Sequence, residues 1–190
     1  MIRVLFICHG NICRSPMAEY MLKDILEKNN LCDEFEVASA ATSTEEIWGP
    51  VGNPVYPPAR DELIRRGIGK TEYTDFSIKR AVQVTKRDYE YYDYILCADS
   101  MNIRNTIRIT GPDCDEKIKL LLDYTDRNGQ SIADPWYTGN FVDTYRDIME
   151  GLIGFMKYLG YDKLLLRTTC YKGNWTDGKE AGKNERMPST

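Results

Sequence analysis

The sequence predicts an α/β fold, a three-layer, four-stranded parallel sheet with helices on both faces. Three observations carry that expectation. Val4-Leu5-Phe6-Ile7 is an unbroken apolar run with β-branched residues at both ends, the pattern of a short strand buried on both sides. Similar runs then alternate with helix-period stretches, giving the order βαβαβαβα of a covered parallel sheet. Finally, the first run passes through a short Gly-containing segment straight into Ser15-Pro16, a helix start with Ser at the N-cap and Pro at the first helical position.

The first helix is expected over Pro16–Lys28. Met17, Met21, Leu22 and Ile25 share one face, and Glu19→Lys23 and Asp24→Lys28 are favourable i,i+4 pairs. Phe35–Ala38 reads as the second strand, ending at Ser39-Ala40-Ala41-Thr42. From there to about Pro58 the chain is polar, rich in Gly and Pro and without a period, a long functional loop that carries Trp48. Ala59, Leu63 and Ile64, with Asp61→Arg65 and Glu62→Arg66, indicate a helix closed by Gly67. Between 70 and 92 the pattern supports only helical turns near 77–82 and 88–91. Tyr94–Ala98 is the third strand. Ser100 is expected to cap a helix to about Ile109, stopped by Gly111-Pro112. Ile118–Leu122 is the fourth strand, and a loop carrying Asp134 follows. Phe141, Tyr145, Ile148, Met149, Leu152, Phe155, Met156 and Leu159 mark the last helix, ended by Gly160.

The chain has 190 residues, enough for one domain, expected over 1–170, with a disordered tail over 171–190 of mixed charge and few apolar residues. A net charge of −4 without a basic cluster argues against nucleic acid or an anionic membrane as partner. No apolar stretch approaches membrane-spanning length, and Met1-Ile2-Arg3 runs directly into a strand, so no cleavable signal region is expected. The six cysteines (8, 13, 32, 97, 114, 170) form no C-x-x-C pair and there is a single histidine. That usage suits a reducing, cytoplasmic setting and predicts neither metal nor cofactor. A monomer is expected.

The chemistry concentrates in Cys8-His9-Gly10-Asn11-Ile12-Cys13-Arg14-Ser15. A loop between a buried strand and a helix N-terminus has free backbone N–H groups and the positive end of the helix aimed at its centre, an anion site. Arg14 adds a planar fork suited to two phosphate oxygens. In that field Cys8 is favoured as thiolate and becomes a nucleophile. A leaving alkoxide or phenoxide needs a proton, and His9 lies inside the loop beside the nucleophile, badly placed to supply it. A carboxylic acid is the remaining option. Asp134-Pro135-Trp136-Tyr137 offers one, although by sequence alone an Asp-Pro is more often a turn.

With these residues in hand, VLFICHGNICRSPMAE resembles the N-terminal signature of the low-molecular-weight protein tyrosine phosphatases. The likeness continues through Ser39-Ala40-Ala41-Thr42, Ala98-Asp99-Ser100-Met101-Asn102 and Ala133–Tyr137, covering about 2–160. It implies Cys8 as nucleophile, the whole segment 8–15 as phosphate loop, and Asp134 as proton donor and later base. It further implies a hydrogen bond from Ser15 to the Cys8 sulfur, and Asn11 with Asp99 holding the loop in shape. Trp136, Tyr137 and Trp48 would wall a pocket for a flat aryl leaving group, Trp136 standing where the family commonly has Tyr. The expected partner is a phosphotyrosine protein or another aryl phosphate. Cys8 and Cys13, at the two ends of a loop that must curl around one phosphate, are expected to form a reversible disulfide on oxidation. The alternatives are a thiol-dependent arsenate reductase of the same fold, which needs two further cysteines in relay, and a phosphotyrosine- or phosphate-binding module without turnover.

Overall fold

The computed structural model describes residues 1–162. The expected tail over 171–190, and the end of the expected domain up to 170, lie outside the described residues. Within them, four strands form one parallel sheet in the order β2-β1-β3-β4: β1 (Ile2–Cys8), β2 (Phe35–Ala41), β3 (Tyr94–Cys97) and β4 (Ile118–Leu120). Side chains of β1 alternate between the faces. Val4, Phe6 and Cys8 pack with α1 (Arg14–Lys28), α2 (Pro57–Arg65) and α6 (Phe141–Tyr158), while Leu5 and Ile7 face α3 (Lys86–Tyr91) and α4 (Ser100–Thr110). The remaining helix is the short α5 (Pro135–Thr138). Both faces of the sheet are therefore covered, which is why its central strands carry no polar alternation.

Several boundaries differ from the sequence reading, each for a local reason. Helix α1 begins at Arg14 with Cys13 at its N-cap position and no side-chain cap, because the Ser15 hydroxyl is turned to the Cys8 sulfur instead. Strand β2 runs on to Ala41 because β1 pairs with it through Cys8↔Ala41. Asp99, not Ser100, caps α4, its carboxylate accepting from Asn102 N at 2.7 Å. The apolar run 118–122 is strand only to Leu120. Leu121 and Leu122 turn into a 3₁₀ segment, Leu121–Tyr124, and bury against α6. Residues 77–82 are not helical, since they are held by the bridge Pro54↔Arg80 and by Ala81 N donating to Asn53 O at 2.9 Å. Arg65 pairs with Glu62 rather than Asp61, while the pairs Lys23–Glu19 (2.7 Å) and Lys28–Asp24 (2.6 Å) form as expected.

Helix α6 crosses the 3₁₀ segment closely at Gly151 and Gly154, and a Cβ at Gly154 would collide with the Tyr124 carbonyl. Gly→Ala inside a helix ordinarily stabilises by about 1 kcal/mol through propensity. At Gly154 the sign is expected to reverse. The neighbour is backbone, and overpacking costs about 1–3 kcal/mol. Urea unfolding of Gly154→Ala tests this; a midpoint at or above that of the unchanged protein would show that the two segments can separate without cost.

Candidate active site

Strand β1 ends at the point where the sheet order reverses, with β2 on one side and β3 on the other. In a parallel sheet this switch point opens a crevice beyond the carboxyl ends of the strands. Residues 8–15 curl in that crevice. The loop is pinned from outside by three backbone bonds: Thr42 N to Cys8 O (3.0 Å), Ser43 N to His9 O (3.0 Å) and Tyr56 N to Ile12 O (2.8 Å). Inside the curl, the amides of Gly10, Ile12, Cys13 and Arg14 donate to no acceptor among the described residues. Free donors converging at the start of a fifteen-residue helix make an anion cradle.

Cys8 is 3% exposed, and its sulfur meets the Ser15 hydroxyl at 3.0 Å and accepts from Asn11 N at 3.3 Å. Asn11 has a positive φ of 56°, a conformation that Asn tolerates better than most residues. Its side chain then locks the curl. Nδ2 donates to Ser15 Oγ (2.9 Å) and Ser39 Oγ (2.8 Å), while Oδ1 accepts from Val82 N (3.2 Å). Ser39 in turn donates to the buried Glu19 at 2.6 Å, and Lys79 reaches both Glu19 (3.0 Å) and the Ser39 carbonyl (2.8 Å). A carboxylate this deep is tolerated because Lys23 and Lys79 both pair with it. Burial pushes the Cys13 thiol far up, with the charges of Cys8 and Asp134 acting in the same direction.

Arg14 is buried, and its guanidinium bridges two carboxylates: Nη1 to Asp99 at 2.8 Å and Nη2 to Asp134 at 2.6 Å. Asp134 is the N-cap of α5, its other oxygen accepting from Trp136 N at 3.0 Å. The nucleophile candidate, the forked cation and two carboxylates thus share one cavity of about 440 Å³. A larger and more open depression of about 980 Å³ lies between Lys119, Tyr124, Glu150 and Tyr158, but the described residues that line it include neither a cysteine nor the phosphate-loop segment. The chemistry belongs to the smaller one.

Of the expected wall residues, Trp136 and Tyr137 line the cavity, with Tyr56 behind Trp136 at a ring separation of 5.6 Å. Trp48 does not. It is 70% exposed, because Asn53 N bonds Glu46 O and closes 47–52 into a projecting loop. Its place on the rim is taken by Glu45 and Glu46, and α4 contributes Met101, Asn102 and Asn105. Sequence reasoning missed these residues and the supports Ser39, Glu19 and Lys79. Met101, Asn102 and Asn105 carried a signal, one helix face just beyond a central strand; the others carried none. Asp99 reaches the loop through Arg14, while Asn11 bonds Ser15, Ser39 and Val82. His9, read from sequence as lying inside the loop, instead has its ring half exposed at the mouth, where it pairs with Glu45 at 2.8 Å.

The family model described as low molecular weight phosphotyrosine protein phosphatase matches residues 3–164. The low molecular weight protein-tyrosine-phosphatase YfkJ of Bacillus subtilis is 38% identical over 152 residues, 80% of this chain and 91% of the relative. The human low molecular weight phosphotyrosine protein phosphatase is 39% identical over 142 residues, 74% and 82% of the two chains. Among solved structures, the low molecular weight protein tyrosine phosphatase of Streptococcus pyogenes superposes with a TM-score of 0.72 at 32% identity, covering 87% of this chain and 98% of that one.

Proposed function

The chain belongs to the low molecular weight phosphotyrosine protein phosphatases, and from that premise we propose how it hydrolyses an aryl phosphate monoester, through a phosphocysteine on Cys8. The observation that carries this reading is the Cys8 sulfur set in a ring of free amides, with Arg14 held beside it by Asp99 and Asp134.

An incoming phosphate dianion takes the loop amides and the Arg14 fork, displacing Asp134 from Nη2. The Cys8 thiolate attacks phosphorus in line, and the P–O bond to the leaving group breaks as protonated Asp134 gives its proton to that oxygen. The amides and Arg14 hold the equatorial oxygens as charge develops on them. Water then attacks the phosphocysteine. Asp134 takes the water's proton, the P–S bond breaks, and the Ser15 hydroxyl receives the departing thiolate. Trp136 and Tyr137 flank the leaving ring. The substrate is phosphotyrosine in a protein, met by a monomer in the cytoplasm, with no nucleic acid or membrane as partner. Among the described residues no helix is long and apolar enough to cross a membrane.

The arsenate reductase alternative would need a thiol relay. Cys97 is wholly buried against the Thr106 hydroxyl, with its thiol pushed far up by burial, and Cys114 stands exposed after α4. That arrangement favours phosphatase chemistry.

The test is turnover of p-nitrophenyl phosphate, followed by matched phosphotyrosine and phosphoserine peptides. Release of phosphate with a clear preference for phosphotyrosine is expected. Binding without turnover would leave a recognition module, and equal kcat/KM for the two peptides would remove the aromatic pocket.

Oxidation supplies a separate check. Peroxide converts the Cys8 thiolate to a sulfenic acid; the Cys13 thiol then attacks that sulfur, releasing water and leaving a Cys8–Cys13 disulfide that added dithiol reduces. After mild peroxide and then reductant, the unchanged protein is expected to recover most of its activity and Cys13→Ser clearly less. Equal recovery, or a peptide map linking Cys8 to another cysteine, would remove this role.

A further inference from the structure

Two carboxylates mark the described rim of the active-site cavity. Glu45 and Glu46 stand on it side by side, on the loop that follows β2. Each commits only one carboxylate oxygen to the protein. Glu45 Oε2 meets His9 Nε2 at 2.8 Å, and Glu46 Oε2 accepts from Asn53 Nδ2 at 2.7 Å. Oε1 of each has no partner among the described residues. On the α4 side of the cavity, Asn102 is 1% exposed and its buried side-chain oxygen has no hydrogen-bond partner among the described residues. Among the described residues no Lys lines the cavity, and Arg14, the one Arg there, is already spanned by Asp99 and Asp134. Above the phosphate loop, then, the described residues offer acceptors and negative charge, with His9 the only other group among them able to become cationic.

That is an unusual mouth for a site whose floor takes a dianion. Phosphate binding is settled by the loop, so the rim acts on whatever flanks the phosphorylated residue. Glu45 keeps 73% of its side chain exposed, within reach of a peptide lying across the mouth. We propose that Glu45 and Glu46 set substrate choice, making this enzyme select phosphotyrosine flanked by Lys or Arg and reject the same residue in an acidic context. The inference rests on the aryl phosphatase reading above and names the substrate class within it. Such solvent-exposed pairs are individually weak, and two of them acting on basic against acidic flanks amount to a discrimination of about tenfold. Salt should erase it, because at about 1 M the screening length is roughly 3 Å.

The experiment uses three phosphotyrosine peptides of equal length, flanked by Lys/Arg, by Ala or by Glu, with p-nitrophenyl phosphate as the probe without flanks. The expected kcat/KM ratio of basic to acidic peptide is about ten at low ionic strength, collapsing in about 1 M NaCl. In Glu45→Gln/Glu46→Gln the ratio should fall to within about twofold, and in Glu45→Lys/Glu46→Lys it should invert. A merely structural role for Glu45 in holding His9 would lower all three peptides together and leave the ratio alone. Asp61→Asn/Glu72→Gln, exposed and outside the cavity, changes net charge equally and should keep the ratio. A ratio near one in the unchanged protein, or one that survives in Glu45→Gln/Glu46→Gln, overturns the proposal. Failure to turn over p-nitrophenyl phosphate would instead count against the phosphatase reading. In that case the affinities of the same three peptides, titrated directly, should show the same ratio, and equal affinities would overturn the proposal.

Discussion

Replacing Cys8 by Ser is expected to abolish turnover while leaving phosphate binding in place. The cradle that holds the anion consists of backbone amides and Arg14, none of which the substitution removes. What it removes is the nucleophile. A serine hydroxyl is a weak nucleophile unless an adjacent base takes its proton, and the neighbours of this position are the Ser15 hydroxyl and the Asn11 amide, neither of them a base. The same exchange leaves every group of the cradle in place, so inorganic phosphate should bind about as tightly as before. Titration calorimetry with phosphate and a p-nitrophenyl phosphate assay on one preparation check both halves. Turnover within about a hundredfold of the unchanged protein would mean that Cys8 is not the attacking atom, since loss of a covalent nucleophile costs far more. Loss of phosphate binding with the fold intact would mean that the free amides are not the anion site.

The sheet and the loop were legible in sequence because their signals are local. A four-residue apolar run and a Ser-Pro helix start need no distant partner to be read. The misreadings came where one side chain answers a distant demand. Ser15 looks like a cap, but its hydroxyl is turned to a sulfur across the loop. Asp99 divides its carboxylate, one oxygen capping α4 and the other holding Arg14, and no spacing rule announces that division. Glu19 was legible as the partner of Lys23, yet its other oxygen serves Ser39 and Lys79 from remote segments. Residues 77–82 have enough helical pattern to suggest a turn, and long-range backbone pairing overrides it. Trp48 shows the converse. An aromatic in a functional loop looks like a pocket wall, but the turn closed by Asn53 and Glu46 lifts it away and leaves two glutamates on the rim.

Asp134→Ala is expected to lower kcat by about 10²–10⁴, the usual share of a general acid, with a dependence on the leaving group that identifies the role. Two carboxylates hold Arg14, and either could in principle be the proton donor. Asp99 sits at the start of α4, one oxygen on Asn102 N and the other on Arg14. Asp134 sits at the start of α5, next in sequence to Pro135, Trp136 and Tyr137, and the last two line the cavity where an aryl group would lie. A donor matters most when the departing oxyanion is a poor leaving group. Asp134→Ala should therefore lose most on phenyl phosphate and least on p-nitrophenyl phosphate. Asp99→Asn should instead lose by a similar factor on both, because its effect passes through the position of Arg14. Phosphate affinity should survive in Asp134→Ala, since removing the carboxylate frees Nη2 for the anion. Measuring kcat across a series of substituted phenyl phosphates for both variants separates the roles. If Asp134→Ala falls equally across the series while Asp99→Asn falls unequally, the acid is Asp99 and Asp134 is the residue that positions Arg14.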